Sequence, residues 1–169
     1  YTNGVRNGAW AEYWEEVWWF DYGEDGEPNT KDTLENNNRW DSVEVVIPDF
    51  KPKLKLQGNY LNGNRDGTWI EYFEDGKRKT ELNYLNGKFN GLQSYWSSNG
   101  NKIQEKNYIN GKQQGLWTLY YQATGIKKEE TNYIDGVQEG LWTEWYEDGQ
   151  KRRERNFKDG ERDSTWTTW

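Results

Sequence analysis

The chain contains no cysteine, no methionine and no histidine among its 169 residues. Without cysteine neither a disulfide framework nor a thiolate zinc site can form. Without histidine the commonest general base and metal ligand is missing, which weighs against catalysis. Proline is scarce as well, confined to Pro28, Pro48 and Pro52. No run approaches the roughly 18 apolar residues of a membrane span, and no signal-peptide pattern opens the sequence. Hydrophobic content is 32% and the net charge is −7, a combination that ordinarily points to disorder. Against that stand 12 Trp and 12 Tyr, each able to bury a large area. A chain with so many rings at regular positions is expected to fold.

Those rings mark a repeat. An aromatic-x-Asn/Asp-Gly tetrapeptide begins at Tyr1, Tyr60, Tyr84, Tyr108, Tyr133 and Phe157. The glycines of the last five, Gly63, Gly87, Gly111, Gly136 and Gly160, are separated by steps of 24, 24, 25 and 24 residues. A period this short is the signature of a repeat architecture, which displays a surface more readily than it builds a pocket. Each unit holds two short runs rich in Trp, Tyr, Leu and Thr, separated by Asn-Gly or Asp-Gly. These dipeptides supply the positive φ of hairpin turns, so each unit reads as two antiparallel strands. The prolines fall outside the repeated strands, as central strands require. The expected fold is all-β: an elongated single-layer antiparallel sheet of tandem hairpins, about 24 residues each, with one acidic insertion. Residues 1–16 supply the first strand of an interrupted repeat, 17–52 the insertion, and 53–169 the remaining repeats.

A two-residue turn at Asp75-Gly76 would pair Glu74 with Lys77, Phe73 with Arg78 and Trp69 with Leu82. The other connection, Asn86 to Gly91, reads as a six-residue loop that sets Tyr84 across from Gln93. Alternation then separates two faces. One carries Trp10, Trp69, Trp117, Trp142 and Trp166, interleaved with Tyr1, Tyr60, Tyr84, Tyr108, Tyr133 and Phe157, as the glue between units. The other carries Tyr13, Tyr72, Trp96, Tyr120, Trp145 and Trp169 beside Glu81, Glu105, Glu130, Glu154 and a column of asparagines. Two irregularities fit this register: an extra residue in the turn Gln122–Gly125, and Gln93 standing where other units have Trp, read as a local repacking with Tyr95 on the same face.

The string Asn-Tyr-Ile-Asp-Gly-Val-Gln-Glu-Gly-Leu-Trp-Thr-Glu-Trp-Tyr-Glu-Asp-Gly-Gln, residues 132–150, resembles the bacterial variant of the MORN repeat. The resemblance covers residues 1–14 and 53–169. It implies tandem hairpins in one sheet used for protein contacts, and it brings no catalytic residues and no cofactor. It also extends to bacterial proteins regarded as YwqK-like antitoxins. Residues 17–52 depart from the pattern.

Charge is concentrated near that departure. Residues 12–49 hold twelve acidic and two basic side chains, a net of −10, while the remainder is near neutral. Two apolar runs, Val17–Phe20 and Val43–Ile47, read as strands that pair around an acidic loop. The loop from Asp21 to Asp32 loosely resembles a calcium-binding EF-hand loop. Gly23 stands where a ligand belongs and no helix flanks it, so a solvated acidic loop fits better and no metal site is assigned.

Three functions follow as expectations. The first is a non-catalytic interaction or assembly scaffold that meets a protein partner, or a neighbouring subunit or repeat, through Tyr13, Tyr72, Trp96, Tyr120 and Trp145. The second is an antitoxin or immunity-type protein neutralising a basic toxin with the acidic insertion, through Asp21, Glu24, Asp25 and Glu27. The third is a glycan or cell-wall binder, since choline-binding repeats are also aromatic hairpins. Nucleic acid is not expected as a partner, because the basic cluster Lys151-Arg152-Arg153-Arg155 is answered by neighbouring glutamates. The chain opens and closes within motifs, which reads as a piece of a longer or processed chain, with stacking onto further repeats expected. Localisation leans to the bacterial envelope or secretion, or to the cytoplasm for an antitoxin.

Overall fold

The computed structural model describes residues 6–13 and 53–169, with the side chains of residues 164–166 left aside. The insertion at 17–52, its two apolar runs, its calcium-like loop, Tyr1 and the Trp166 ring therefore lie outside the described residues.

Thirteen strands form one open antiparallel sheet, and no helix occurs among the described residues. They are β1 (Gly8–Tyr13), β2 (Leu54–Leu61), β3 (Asn64–Tyr72), β4 (Arg78–Leu85), β5 (Lys88–Phe89), β6 (Gly91–Trp96) and β7 (Lys102–Ile109). They continue as β8 (Lys112–Tyr120), β9 (Lys127–Ile134), β10 (Val137–Gln138), β11 (Gly140–Trp145), β12 (Lys151–Lys158) and β13 (Glu161–Thr168). Spatial order follows chain order, with the short β5 and β10 paired on β4 and β9. The expected meander of hairpins is what the chain forms.

One layer has no interior. Among the described residues only Ala11 and Trp69 are buried apolar side chains. The backbone ladder and the two faces must supply the cohesion that a core supplies elsewhere.

The two turn types are the reverse of the expectation. Asn-Gly makes the tight turn: Asn86 and Gly87 take φ of 50° and 78°, and Leu85 pairs directly with Lys88. Positive φ at both central residues defines a type I′ hairpin, whose twist matches that of the strands. The six-residue loop is thus replaced by a two-residue turn, and Tyr84 faces Phe89. Asp-Gly makes the wider turn: the Phe73 N–H donates to the Lys77 carbonyl at 2.8 Å across three residues, with Gly76 at a φ of 83°. Phe73 therefore meets Lys77, not Arg78. The pairing of Trp69 with Leu82 nevertheless holds, because a bulge absorbs the discrepancy. Tyr72 pairs with Arg78 and Glu71 with Thr80, so Lys79 is skipped. The turn at Gln122–Gly125 carries the expected extra residue, with the Tyr121 N–H donating to the Ile126 carbonyl at 2.8 Å.

The Asn-Gly turns also stack on one another. The N–H groups of Gly63, Gly87, Gly111, Gly136 and Gly160 donate to the carbonyls of Arg6, Arg65, Phe89, Gln113 and Gln138, at 2.8–3.0 Å. In the same turns Asn62, Asn86, Asn110, Asp135 and Asp159 donate their N–H groups to side-chain oxygens of Asn7, Asp66, Asn90, Gln114 and Glu139. Each turn is thereby fastened to the unit before it.

Candidate interaction surfaces

On the first face rings of the expected ladder meet between Trp10 and Tyr133. Trp10 lies 5.5 Å from Trp69, Tyr60 4.9 Å from Trp69, Tyr108 5.7 Å from Trp117, and Trp117 4.7 Å from Tyr133. Arg65 fills the gap between units, 4.3 Å above the Trp69 ring and hydrogen-bonded at 3.2 Å to the Tyr84 hydroxyl. The indole N–H groups of Trp69 and Trp117 donate to the carbonyls of Asn59 and Asn107.

Gln93 explains itself here. It is fully buried. Its amide nitrogen donates to the Asn83 carbonyl at 2.9 Å, in the place an indole N–H takes elsewhere, and its oxygen accepts the Asn83 N–H at 2.9 Å. The missing ring is supplied by Phe89, 4.9 Å from Tyr84 and 5.3 Å from Tyr108. The swap is a repacking in which one side chain satisfies a peptide group that a buried strand cannot leave unpaired.

The second face owes its order to the bulges. In successive units Lys55, Lys79, Ile103, Lys128 and Arg152 are skipped opposite Tyr13, Tyr72, Trp96, Tyr120 and Trp145. An extra residue reverses the alternation, so residues three apart come to share a face. Ion pairs at that spacing result: Arg78 with Glu81 at 2.8 Å, Lys127 with Glu130 at 2.6 Å, and likewise Lys102 with Glu105 and Lys151 with Glu154. The five aromatics stand beside this column. The Tyr120 hydroxyl donates to Glu105 at 2.7 Å, and the Gln57 amide donates to the Tyr72 hydroxyl at 3.0 Å. Lys102 lies 5.7 Å from the Trp96 ring centre and Lys127 5.8 Å from that of Trp145.

Burial raises the Tyr120 phenol above its ordinary value, and the Glu105 carboxylate it donates to raises it further. Burial also pushes the Glu105 carboxyl up, but hydrogen bonds from Lys102 and Tyr120 outweigh this and hold it below the usual range. The five aromatics are half-buried, held among charges. Asp21, Glu24, Asp25 and Glu27 lie outside the described residues.

The structure adds a second surface to those expected from the sequence. At the Asn-Gly end of the same face, Leu61, Leu85, Ile109 and Ile134 precede the tight turns, and Leu92, Leu116 and Leu141 precede the ladder positions. With Val137 they are 44–57% exposed. The signal was available: each is adjacent in sequence to a ladder residue, so alternation places it on the opposite face. The packing does not require these aliphatics, because Lys158 and Thr68 occupy equivalent positions in other units.

Among the described residues no group of three or more Asp or Glu gathers as a metal site, and no helix is long and apolar enough to cross a membrane. Three stretches match the MORN repeat variant: residues 65–86, 89–110 and 138–159. Together they span less than half of the chain. No curated protein matches the chain. The match supports the repeat family. Such repeats are in general non-catalytic protein- or membrane-binding modules.

Proposed function

We propose that the array is a non-catalytic protein-interaction module that engages its partner through the second face. The observation that carries this reading is the aliphatic stripe, repeated in unit after unit and left half-exposed where only Ala11 and Trp69 are buried apolar side chains among the described residues. Contiguous apolar patches rimmed by polar groups mark interaction sites. The half-buried aromatics Tyr13, Tyr72, Trp96, Tyr120 and Trp145 border the stripe on the same face and form its polar, charge-held margin.

A glycan reading finds less support, because a sugar stacks on open ring faces. On the first face Trp69 already meets Arg65, Tyr60 and Trp10, and Trp117 meets Lys106 at 4.5 Å. The antitoxin reading rests on residues 17–52, outside the described residues.

The test is direct binding. A protein captured on the immobilised full chain is purified and titrated against wild type, Leu116→Lys and, as a control on the first face, Lys106→Ala. Saturable binding lost only in Leu116→Lys is expected. Binding confined to glycans or to lipid vesicles, with none to any protein, would overturn the module.

A further inference from the structure

The stacked Asn-Gly turns form a series whose last member faces outward. Counted from each turn glycine, the carbonyl two residues on accepts the N–H of the next turn's glycine. The side chain three residues on accepts the N–H of the residue before that glycine. Arg6 and Asn7, Arg65 and Asp66, Phe89 and Asn90, Gln113 and Gln114, and Gln138 and Glu139 all serve in this way. After Gly160 the same two positions are Arg162 and Asp163. Arg162 pairs with Phe157 as Arg65 pairs with Tyr60, and in an antiparallel ladder successive residues turn their backbone groups to opposite neighbours. The Arg162 carbonyl is therefore directed away from β12, to the outer edge of β13. Among the described residues no strand pairs with that edge.

Two earlier units add a third contact. Where the accepting carbonyl belongs to an arginine, its guanidinium also reaches the tyrosine hydroxyl on the strand that leads into the next turn. Arg6 donates to Tyr60 at 3.4 Å and Arg65 to Tyr84 at 3.2 Å. Arg162 stands directly across from Phe157, on the ring face, and is exposed. We propose that the outer edge of β13 docks a hairpin of a different repeat protein, its leading strand antiparallel to β13 and ending in Tyr-x-Asn/Asp-Gly. The Arg162 carbonyl accepts the glycine N–H, the Asp163 carboxylate accepts the Asn/Asp N–H, and the Arg162 guanidinium donates to the tyrosine hydroxyl. Asp163 already accepts a bond from the Asn156 amide at 3.2 Å, and a carboxylate accepts several.

Continuity with the junctions inside the sheet identifies the occupant. The edge repeats a junction that the chain makes five times within its own array, so what fits it is a unit of the same kind. Every described Asn-Gly or Asp-Gly tight turn is already seated on the unit before it. A second copy therefore has no described hairpin to offer, and the hairpin comes from another chain. An open strand edge is a template for such addition, in which the backbone ladder gives affinity and side chains give specificity. Specificity here lies in one hydroxyl. Phe89, Gln113 and Gln138 stack turns without a guanidinium, so stacking alone does not demand arginine, whereas selecting tyrosine over phenylalanine does. The site lies at one end of the array and is separate from the aliphatic stripe.

The probe is a labelled synthetic hairpin of residues 102–120, which carries Tyr108 and Asn110-Gly111. Its fluorescence anisotropy is followed as the full chain is added, with circular dichroism confirming the fold of each variant. Saturable binding is expected, and none with a scrambled peptide. Arg162→Ala in the chain and Tyr108→Phe in the hairpin should each weaken binding roughly tenfold, and the two together by little more than either alone. Asp163→Ala should weaken it as well, and Leu116→Lys should leave it unchanged. No saturable binding, equal binding of the scrambled peptide, indifference to Arg162→Ala, or independent losses from the paired changes would each overturn the docking. Binding lost in Leu116→Lys would place the hairpin on the second face and overturn the edge site. Self-association of the chain in sedimentation equilibrium, abolished by Arg162→Ala, would overturn it in favour of a second copy.

Discussion

On one face of this sheet the aromatic rings touch one another, and on the other they stand beside charged groups. Between Trp10 and Tyr133 the first face is a run of ring contacts 4.7–5.7 Å apart, with Arg65 linking Trp69 to Tyr84 and Phe89 standing in where Gln93 replaces a tryptophan. The second places a Tyr or Trp beside a Lys–Glu or Arg–Glu pair in each of its central units. The same residue types serve cohesion in one setting and a polar surface in the other. A sheet one layer thick needs the first face to stand in for a core, and that leaves the aliphatic stripe of the second exposed.

The comparison is broken most severely at Trp69, 1% exposed. Trp69→Ala should cost about 3–5 kcal/mol in urea unfolding. A loss below 1 kcal/mol would mean that the ladder is not the cohesive face. Next is Gln93→Trp, which restores the commoner residue but removes two bonds to Asn83 and meets the Phe89 ring. A cost of about 1–3 kcal/mol is expected. Adding Phe89→Gln, which recreates the Gln113/Trp117 pairing of the following unit, should recover a substantial part of it, and a double-mutant cycle reads the coupling.

On the second face the effects shrink. Tyr120→Phe removes the donor to Glu105 and should cost about 1 kcal/mol. NMR titration should show the Glu105 carboxyl moving up toward its ordinary value. Because that carboxyl is held low in the folded chain, its contribution is present above its unfolded pKa of roughly 4.3 and is lost as pH falls through the lower folded value. Wild type should accordingly lose its small advantage over Glu105→Gln on acidification, an advantage kept modest by solvent screening. Smallest of all is Leu116→Lys, expected to change stability by no more than about 0.5 kcal/mol. A large loss there would show that the stripe belongs to the fold and not to a partner.

Much of this was legible in the chain itself. The 24-residue step, the hairpin dipeptides and the alternation from Trp69 place the described ladder residues from Trp10 to Tyr133 on one face. The turn types are not legible because Asn-Gly and Asp-Gly both supply positive φ, and only the surrounding ladder decides between a two-residue and a three-residue closure. The bulges are not legible for a related reason: four of the skipped residues, Lys55, Lys79, Lys128 and Arg152, are basic and the fifth is Ile103, and a basic strand residue does not by itself mark a bulge. At Lys79 the skip arises because the three-residue turn and the Trp69–Leu82 register differ by one. The stripe is not legible in the sequence because leucine in a strand ordinarily signals burial, and burial depends on a second layer that is absent among the described residues.

The sequence by itself therefore determined the repeat, its period and its two faces, since alternation and turn chemistry are local properties of the backbone. The tertiary structure alone decided which face is closed. It did so through contacts between units: turn N–H groups bonded to the preceding repeat, Gln93 taking over a peptide group, and bulges gathering ion pairs beside the aromatics. Cohesion in a single layer is set by how neighbouring units meet, and no single unit carries that information.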